Sequence, residues 1–355
     1  MRILDFYIGR SFLRHFTLIA TILLTLFSLL ELITQLDDVG KGSYHLSDAL
    51  QFVALTFPKR LLDLMPISTL LGGLLALGMM ADHGELVAME ASGVSTRRIG
   101  GTALATGMVL MVLAGILAEL LVPGMEQMAR NSRAQALSET DITLTRQGFW
   151  ARSGERYVHV DKMLSHGLAA DISLFSFDKT GNLQSFIHAE NGHLGNDGSW
   201  NLTGITEKTV ANNEVTTTRR QELALEFFLS ADQVRVLELP PYSLSTPDLV
   251  RYIEALRQSG QNPDQYKIAL WRKFTIPLTT GAMVLLSLSF VFGSTRSVSA
   301  GYRITSGTLS GIILYFSDQI LIQWGMLLNL PPGITALLPV LLISGIALTR
   351  LRNVR

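Results

Sequence analysis

The chain has 355 residues, 29 Lys+Arg against 29 Asp+Glu, 16% charged residues and 48% hydrophobic ones. That charged share is well below the roughly 25% of an ordinary soluble domain and excludes a purely water-soluble globule. The zero net charge argues against nucleic-acid binding, which needs a basic excess or stripe, and the absence of cysteine excludes a disulfide framework, a thiolate metal site and a cysteine nucleophile.

In chain order, a short tail with Arg2, Arg10 and Arg14 leads into the first of six apolar runs, 16–36, 61–81, 99–122, 274–292, 304–328 and 333–349. Roughly 20 residues at 1.5 Å rise cross a ~30 Å hydrocarbon core, so each run predicts a transmembrane helix. The first run is too long for a signal-peptide core and lacks a small-residue cleavage site, which makes it a retained anchor. Arg97, Arg98, Arg296, Arg303, Arg350, Arg352 and Arg355 fall on the same side as the tail, whereas the opposite short connections carry Lys41, Lys59 and Arg60. By the positive-inside bias both termini are expected in the cytoplasm and the long segment 123–273 outside.

That segment opens with a polar helical extension, 124–137, and then changes period. Short β-branched and aromatic runs follow at 156–160, 172–177, 183–188, 200–202, 205–210 and 226–229, separated by turn signals such as Asp178-Lys-Thr-Gly181 and Gly195-Asn-Asp-Gly198. They predict a small antiparallel β domain, with Phe175, Phe177, Phe186 and Phe227 as inward positions of either a filled core or a lipid shelter. Ser245-Thr-Pro-Asp248 predicts a capped helix carrying Leu249, Tyr252, Ile253 and Leu256 on one face. The expected organisation is helices 1–3 in 1–122, a β domain in 123–265 and helices 4–6 in 266–355.

Catalytic signatures are missing. The sequence contains no HExxH and no GxSxG, and Gly40-Lys-Gly-Ser43 lacks the spacing of a phosphate loop. His159, His166, His188 and His193 lack metal-ligand spacing, so neither a metal, a cofactor nor an enzymatic activity is expected. Four ionisable residues interrupt the apolar runs: Glu31, Asp63, Glu119 and Asp318. A charge at a helix centre costs roughly 2.5–3.5 kcal/mol. Interfacial solvation accounts for the first three, which lie near the ends of their runs. Asp318 with Gln319 and Gln323 forms a polar stripe that serves either packing or a pathway, leaving an ion-coupled secondary transporter as the alternative function. Gly72, Gly73, Gly78, Gly307 and Gly311 allow close helix approach.

The connection 81–100 predicts a short helix at about 84–93 in which Leu86, Val87 and Met89 lie beside Glu85 and Glu90. Its apolar side needs lipid headgroups or a partner, and the acidic residues favour a protein.

Glu85-Leu-Val-Ala-Met-Glu-Ala-Ser-Gly93, Gly72-Gly-Leu-Leu-Ala-Leu-Gly78 and Glu126-Gln-Met-Ala-Arg-Asn-Ser-Arg-Ala-Gln135 resemble the LptF/LptG permeases of the bacterial lipopolysaccharide exporter. Gly9-Arg10, Gly40-Lys-Gly-Ser-Tyr44, Pro58-Lys59, Ser287-Leu-Ser-Phe-Val-Phe-Gly293, Arg296-Ser-Val298 and Asp318-Gln-Ile320 extend the likeness over nearly the whole chain, nearer the LptG branch. The resemblance implies an inner-membrane permease that works with an LptF-like permease, two copies of an LptB-like ATPase, an LptC-like bitopic protein and an LptA-like periplasmic bridge. It implies a jelly-roll-like periplasmic β domain, and ATPase coupling through Glu85, Leu86, Met89 and Glu90. It also implies lipid A phosphate recognition by Lys59, Arg130 and Arg133. Glu31, Asp37 and Asp38 depart from the basic character of related sequences there, which makes Arg60, Arg272 and Lys273 substitute candidates.

Overall fold

The computed structural model describes residues 2–137, 149–153, 156–164, 168–178, 182–194, 199–211, 214–226, 240–258, 262–292, 300–328 and 330–352. The helices are α1 (Arg2–Leu36), α2 (Leu46–Leu55), α3 (Phe57–Asp82), α4 (Glu85–Ala91), α5 (Thr96–Ile116) and α6 (Val122–Leu137), then α7 (Thr246–Gln258), α8 (Asp264–Phe292), α9 (Ala300–Leu327) and α10 (Pro332–Arg352). Between α3 and α5 lies only the short α4; between α5 and α6 lies a π-helical turn, Leu117–Leu121. The strands are β1 (Phe149–Ser153), β2 (Arg156–Leu164), β3 (Leu168–Phe177), β4 (Leu183–Leu194), β5 (Ser199–Ala211) and β6 (Glu214–Glu226). The chain forms two compact units, one of Met1–Thr34, Val53–Glu126 and Asp264–Arg355, the other of Gln35–Phe52 and Gln127–Pro263.

Among the described residues, five helical stretches are long and apolar enough to cross a membrane: Ile3–Leu36, Phe57–Asp82, Thr96–Leu137, Asp264–Phe292 and Pro332–Arg352. The remaining expected span, α9, has 28 residues and the required length, but Ser317, Asp318, Gln319 and Gln323 lower its hydropathy. The tail joins the first run without a break, making α1 a single 35-residue helix. Of the apolar window of α3, 72% is buried, against 17% for α1, so α3 is central and α1 peripheral. Ile8, Phe12, Phe16, Ala20 and Leu24 recur every fourth residue as the buried stripe of α1.

Glycines set the helix spacing as the sequence suggests. A Cβ at position 72 would come 2.6 Å from Phe16 Cα, and one at position 73 would come 2.6 Å from Ser287 Oγ. Gly307 and Gly311 of α9 meet Leu74 and Leu70 of α3 in the same way.

In the second unit, the six described strands form one antiparallel sheet in the order β1-β2-β3-β4-β5-β6. Each described strand pairs with its sequence neighbour, so their order is that of a meander rather than the crossed order of a jelly roll. The two expected runs at 200–202 and 205–210 are a single strand, β5, that continues through Gly204 at φ 69°. β6 was not expected, because Thr216-Thr-Thr-Arg-Arg220 is polar without alternation, and residues 215–222 of this last strand are exposed. Of the run 226–229, only Glu226 lies among the described residues.

One sheet face buries Val158, Val160, Ile172, Leu174, Ile187, Trp200, Leu202 and Ile205. Phe175 and Phe186 belong to the other face: they pair across β3 and β4 with ring centroids 5.0 Å apart and remain half-buried. Strand alternation forces this, since Leu174 and Ile187 already take the core-facing positions. Tyr157 packs edge-on against Phe177 at 5.5 Å, and Phe227 lies outside the described residues. Ser245 caps α7 by accepting from Asp248 N at 3.3 Å, and Leu249, Tyr252, Ile253 and Leu256 form its buried side.

Candidate functional site

The four carboxylates inside the apolar runs are all ion-paired within the helical unit. Lys59, in the first turn of α3, bonds Asp63 one turn on. Its neighbour Arg60 reaches across to Glu31 of α1 at 3.3 Å and donates to the Val53 carbonyl at 3.3 Å. On α8, Arg272 lies 3.6 Å from Asp318 of α9, and Lys273 donates to Glu119 Oε2 at 2.9 Å. Glu119 sits in the π-helical turn. The family resemblance implies a phosphate-facing role for Lys59, with Arg60, Arg272 and Lys273 as substitute candidates, and interfacial solvation is the expectation for Glu31, Asp63 and Glu119. The fold joins Lys59, Arg60 and Lys273 to Asp63, Glu31 and Glu119, and Arg272 to Asp318, offsetting the cost of a lone charge among apolar helices.

Two cavities adjoin the pairs. A cleft of about 260 Å³ is lined by Phe27, Leu30, Glu31, Thr34, Arg60, Asp63, Leu64 and Tyr315. A smaller cavity of about 30 Å³ is lined by residues that include Asp63, Arg272, Tyr315, Asp318 and Gln319. Asp63 and Tyr315 belong to both. Sequence reasoning missed Tyr315, although its i,i+3 spacing to Asp318 puts it on the same helix face.

In the other unit, Arg133 of α6 gathers the chain that follows α1. Its guanidinium bonds Asp38, donates from Nε to Gln35 Oε1 at 3.0 Å and lies 5.8 Å over the Phe52 ring. Gln35 Oε1 also accepts from the buried Tyr44 hydroxyl at 3.1 Å. Gly40 and Gly42 take positive φ, 93° and 60°, so that the turn can close Gly40 N onto the Tyr44 carbonyl at 2.9 Å. Ser43 then donates its N–H to the Ala136 carbonyl at 2.9 Å. The Gly-Lys-Gly-Ser-Tyr sequence is thus a docking turn. Hydrogen bonds from Lys41 and Arg133 hold the Asp38 carboxyl below the usual aspartate range, whereas burial pushes the Tyr44 phenol up. Arg130 donates to the Tyr242 hydroxyl at 2.5 Å, with its guanidinium 5.5 Å from the centroid of that ring.

α4 is bounded by Gly84 at φ 72° and Gly93 at φ 90°. Leu86 is buried and Met89 packs against the same core, so these two fix the helix to its own unit. The outward apolar residue is Val87, 67% exposed. Glu85 accepts from the Tyr7 hydroxyl at 2.9 Å and Glu90 from Thr96 Oγ1 at 3.0 Å. With a face only two turns long, sequence periodicity could not separate Val87 from Leu86. Among the described residues no group of three or more His, Asp or Glu side chains is arranged to hold a metal.

Several membrane-length helices with charge pairs among them, and an antiparallel sheet inserted in the chain, define a multi-pass membrane protein with a β domain. The sequence matches the profile of the lipopolysaccharide export system permease LptF/LptG family over residues 6–353. The lipopolysaccharide export system permease protein LptG of Haemophilus influenzae (strain Rd) is 36% identical over 340 residues, which cover 96% of this chain and 95% of that protein. The protein of the same name from Escherichia coli K12 is 34% identical over 345 residues, covering 95% and 94% of the two chains. The chain belongs to the LptF/LptG permease family, as the motif resemblance anticipated.

Proposed function

We propose that this chain is a non-catalytic inner-membrane subunit of an ATP-driven exporter that extracts lipopolysaccharide from the membrane and passes it to a periplasmic bridge. In this reading both termini are cytoplasmic, 123–265 is the periplasmic domain, and the partners are an LptF-like permease, two LptB-like ATPases, an LptC-like bitopic protein and an LptA-like bridge. The observation that carries it is similarity to proteins named lipopolysaccharide export permease LptG over 95% or more of the chain.

The form of α4 supports the coupling element. Its inner residues Leu86 and Met89 anchor it, and its outer surface presents Val87 and Glu90. A rigidly seated short helix transmits a push from a partner to α3 and α5, which flank it in the chain. Phosphate recognition is assigned to Lys59, Arg60, Arg272 and Lys273 in the helical unit, and to Arg130 and Arg133 in the other. A phosphate carries two or three acceptor oxygens and matches a guanidinium fork at least as well as a carboxylate does. Asp318 and Gln319 are assigned to helix packing, since Asp318 is 19% exposed and ion-paired to Arg272.

Co-purification tests the assembly: an ATPase and a second six-helix permease are expected with the tagged chain, and recovery as a fully functional lone protein refutes it. Val87→Glu and Glu85→Arg are expected to cut lipopolysaccharide-dependent ATP hydrolysis in the reconstituted assembly severalfold. Unchanged hydrolysis and lipid release in both variants rule out coupling through α4.

A further inference from the structure

We propose that Glu31 and Asp63 act as resident counterions of the cleft among α1, α3 and α9, holding Arg60 and Lys59 until a phosphorylated lipid displaces them and taking them back when it leaves. The proposal rests on the lipopolysaccharide reading above and adds the acidic half of the site.

Lys59 and Arg60 are adjacent in sequence, and each has its own acid: Asp63 within α3 and Glu31 from α1. Glu31, Arg60 and Asp63 all line the cleft of about 260 Å³, and Phe27, Leu30 and Leu64 supply an apolar wall beside them. A guanidinium beside an apolar wall suits an amphiphile that carries its charge next to hydrocarbon.

The Arg60 pair is poised for exchange. Its 3.3 Å separation exceeds the roughly 2.7–2.9 Å of a tight charge-assisted bond, and the Glu31 side chain is 32% exposed. A phosphate monoester brings about −1.5 to −2 charges and three acceptor oxygens, against one charge and two oxygens from the carboxylate. The phosphate therefore outcompetes the acid for the same cation. Without the acids, two adjacent cations in a low-dielectric setting retain a polyanionic lipid too firmly for turnover. With them, release is assisted because a replacement partner is already covalently in place. Glu31 of α1, which looks out of place at a phosphate site, sets the release rate together with Asp63 of α3.

The test uses the chain with its co-purifying subunits in nanodiscs, with lipid A and phosphatase-treated lipid A as probes. Glu31→Gln is expected to retain lipid A about twofold to fivefold longer than wild type, the effect of losing one partly screened ion pair. Asp63→Asn shifts retention in the same direction and serves if the first variant is unstable. Both variants are expected to hold the phosphate-free lipid as wild type does. Equal or shorter retention of lipid A by both variants overturns the counterion role, as does a wild type that treats the two lipids alike. If wild type binds neither lipid, the exporter reading fails and the counterion role with it; wild-type binding without longer retention in the variants removes the counterion role alone.

Discussion

The two units use the same Arg/Lys–carboxylate chemistry in different surroundings. In the helical unit, Lys273 is 9% exposed and Arg60 14%, each joined to an acid from another helix. In the sheet-bearing unit, Arg220 and Glu207 pair at 3.3 Å across β5 and β6 with the arginine 53% exposed. Arg133, at 35%, stands between them. A pair among apolar helices decides whether two charges are tolerable at all, whereas a pair on a sheet face is interchangeable with water.

The largest effect is expected from the close approach that brings the helices together. Gly72→Leu drives a side chain into the backbone of Phe16, and overpacking at this contact should cost about 3 kcal/mol, the upper part of the usual range. The measurement is the thermal unfolding midpoint and folded yield in detergent, with Gly101→Leu, where a Cβ meets nothing within 4 Å, as the control that stays near wild type.

Next is the α8 pair. Glu119→Ala leaves Lys273 buried without this acid and should cost about 2 kcal/mol, below the roughly 3–5 kcal/mol of a fully buried pair because Glu119 is 38% exposed. Adding Lys273→Met is expected to restore most of the loss. If the double variant is no more stable than Glu119→Ala, the pair does not carry the effect.

A smaller, pH-dependent effect belongs to Asp38. Its carboxyl is held below the ordinary aspartate value of about 3.9. Its contribution is therefore complete above that value and is lost as pH falls through the lower folded-state value. Asp38→Asn should thus be less stable than wild type at pH 6, by about 1 kcal/mol, with the gap closing below about pH 4. Hydrogen exchange over residues 35–52 reads this locally. Smallest of all, Arg220→Ala should move the unfolding midpoint by the equivalent of less than about 0.5 kcal/mol, and less again in high salt. A large effect there would erase the contrast between the units.

Family, fold class and the short acidic-apolar helix were legible in the sequence because each is local: an apolar run, a change of period, a contiguous motif. The jelly-roll implication met a meander among the described strands, and β6 escaped notice because an exposed strand carries no alternation to read. The site was half legible. Its basic residues could be named from motif position, but their partners could not, since Arg60 and Glu31 are 29 residues apart and Lys273 and Glu119 are 154 apart. Likewise no local pattern told Leu86 from Val87, or turned Phe175 to the face opposite Leu174. By itself the sequence determined which segments are apolar runs of membrane-spanning length and which family they belong to, because hydropathy and motifs are properties of consecutive residues. Only the tertiary structure decided which acid neutralises which base, because a charge in a low-dielectric setting is settled by its neighbours in space.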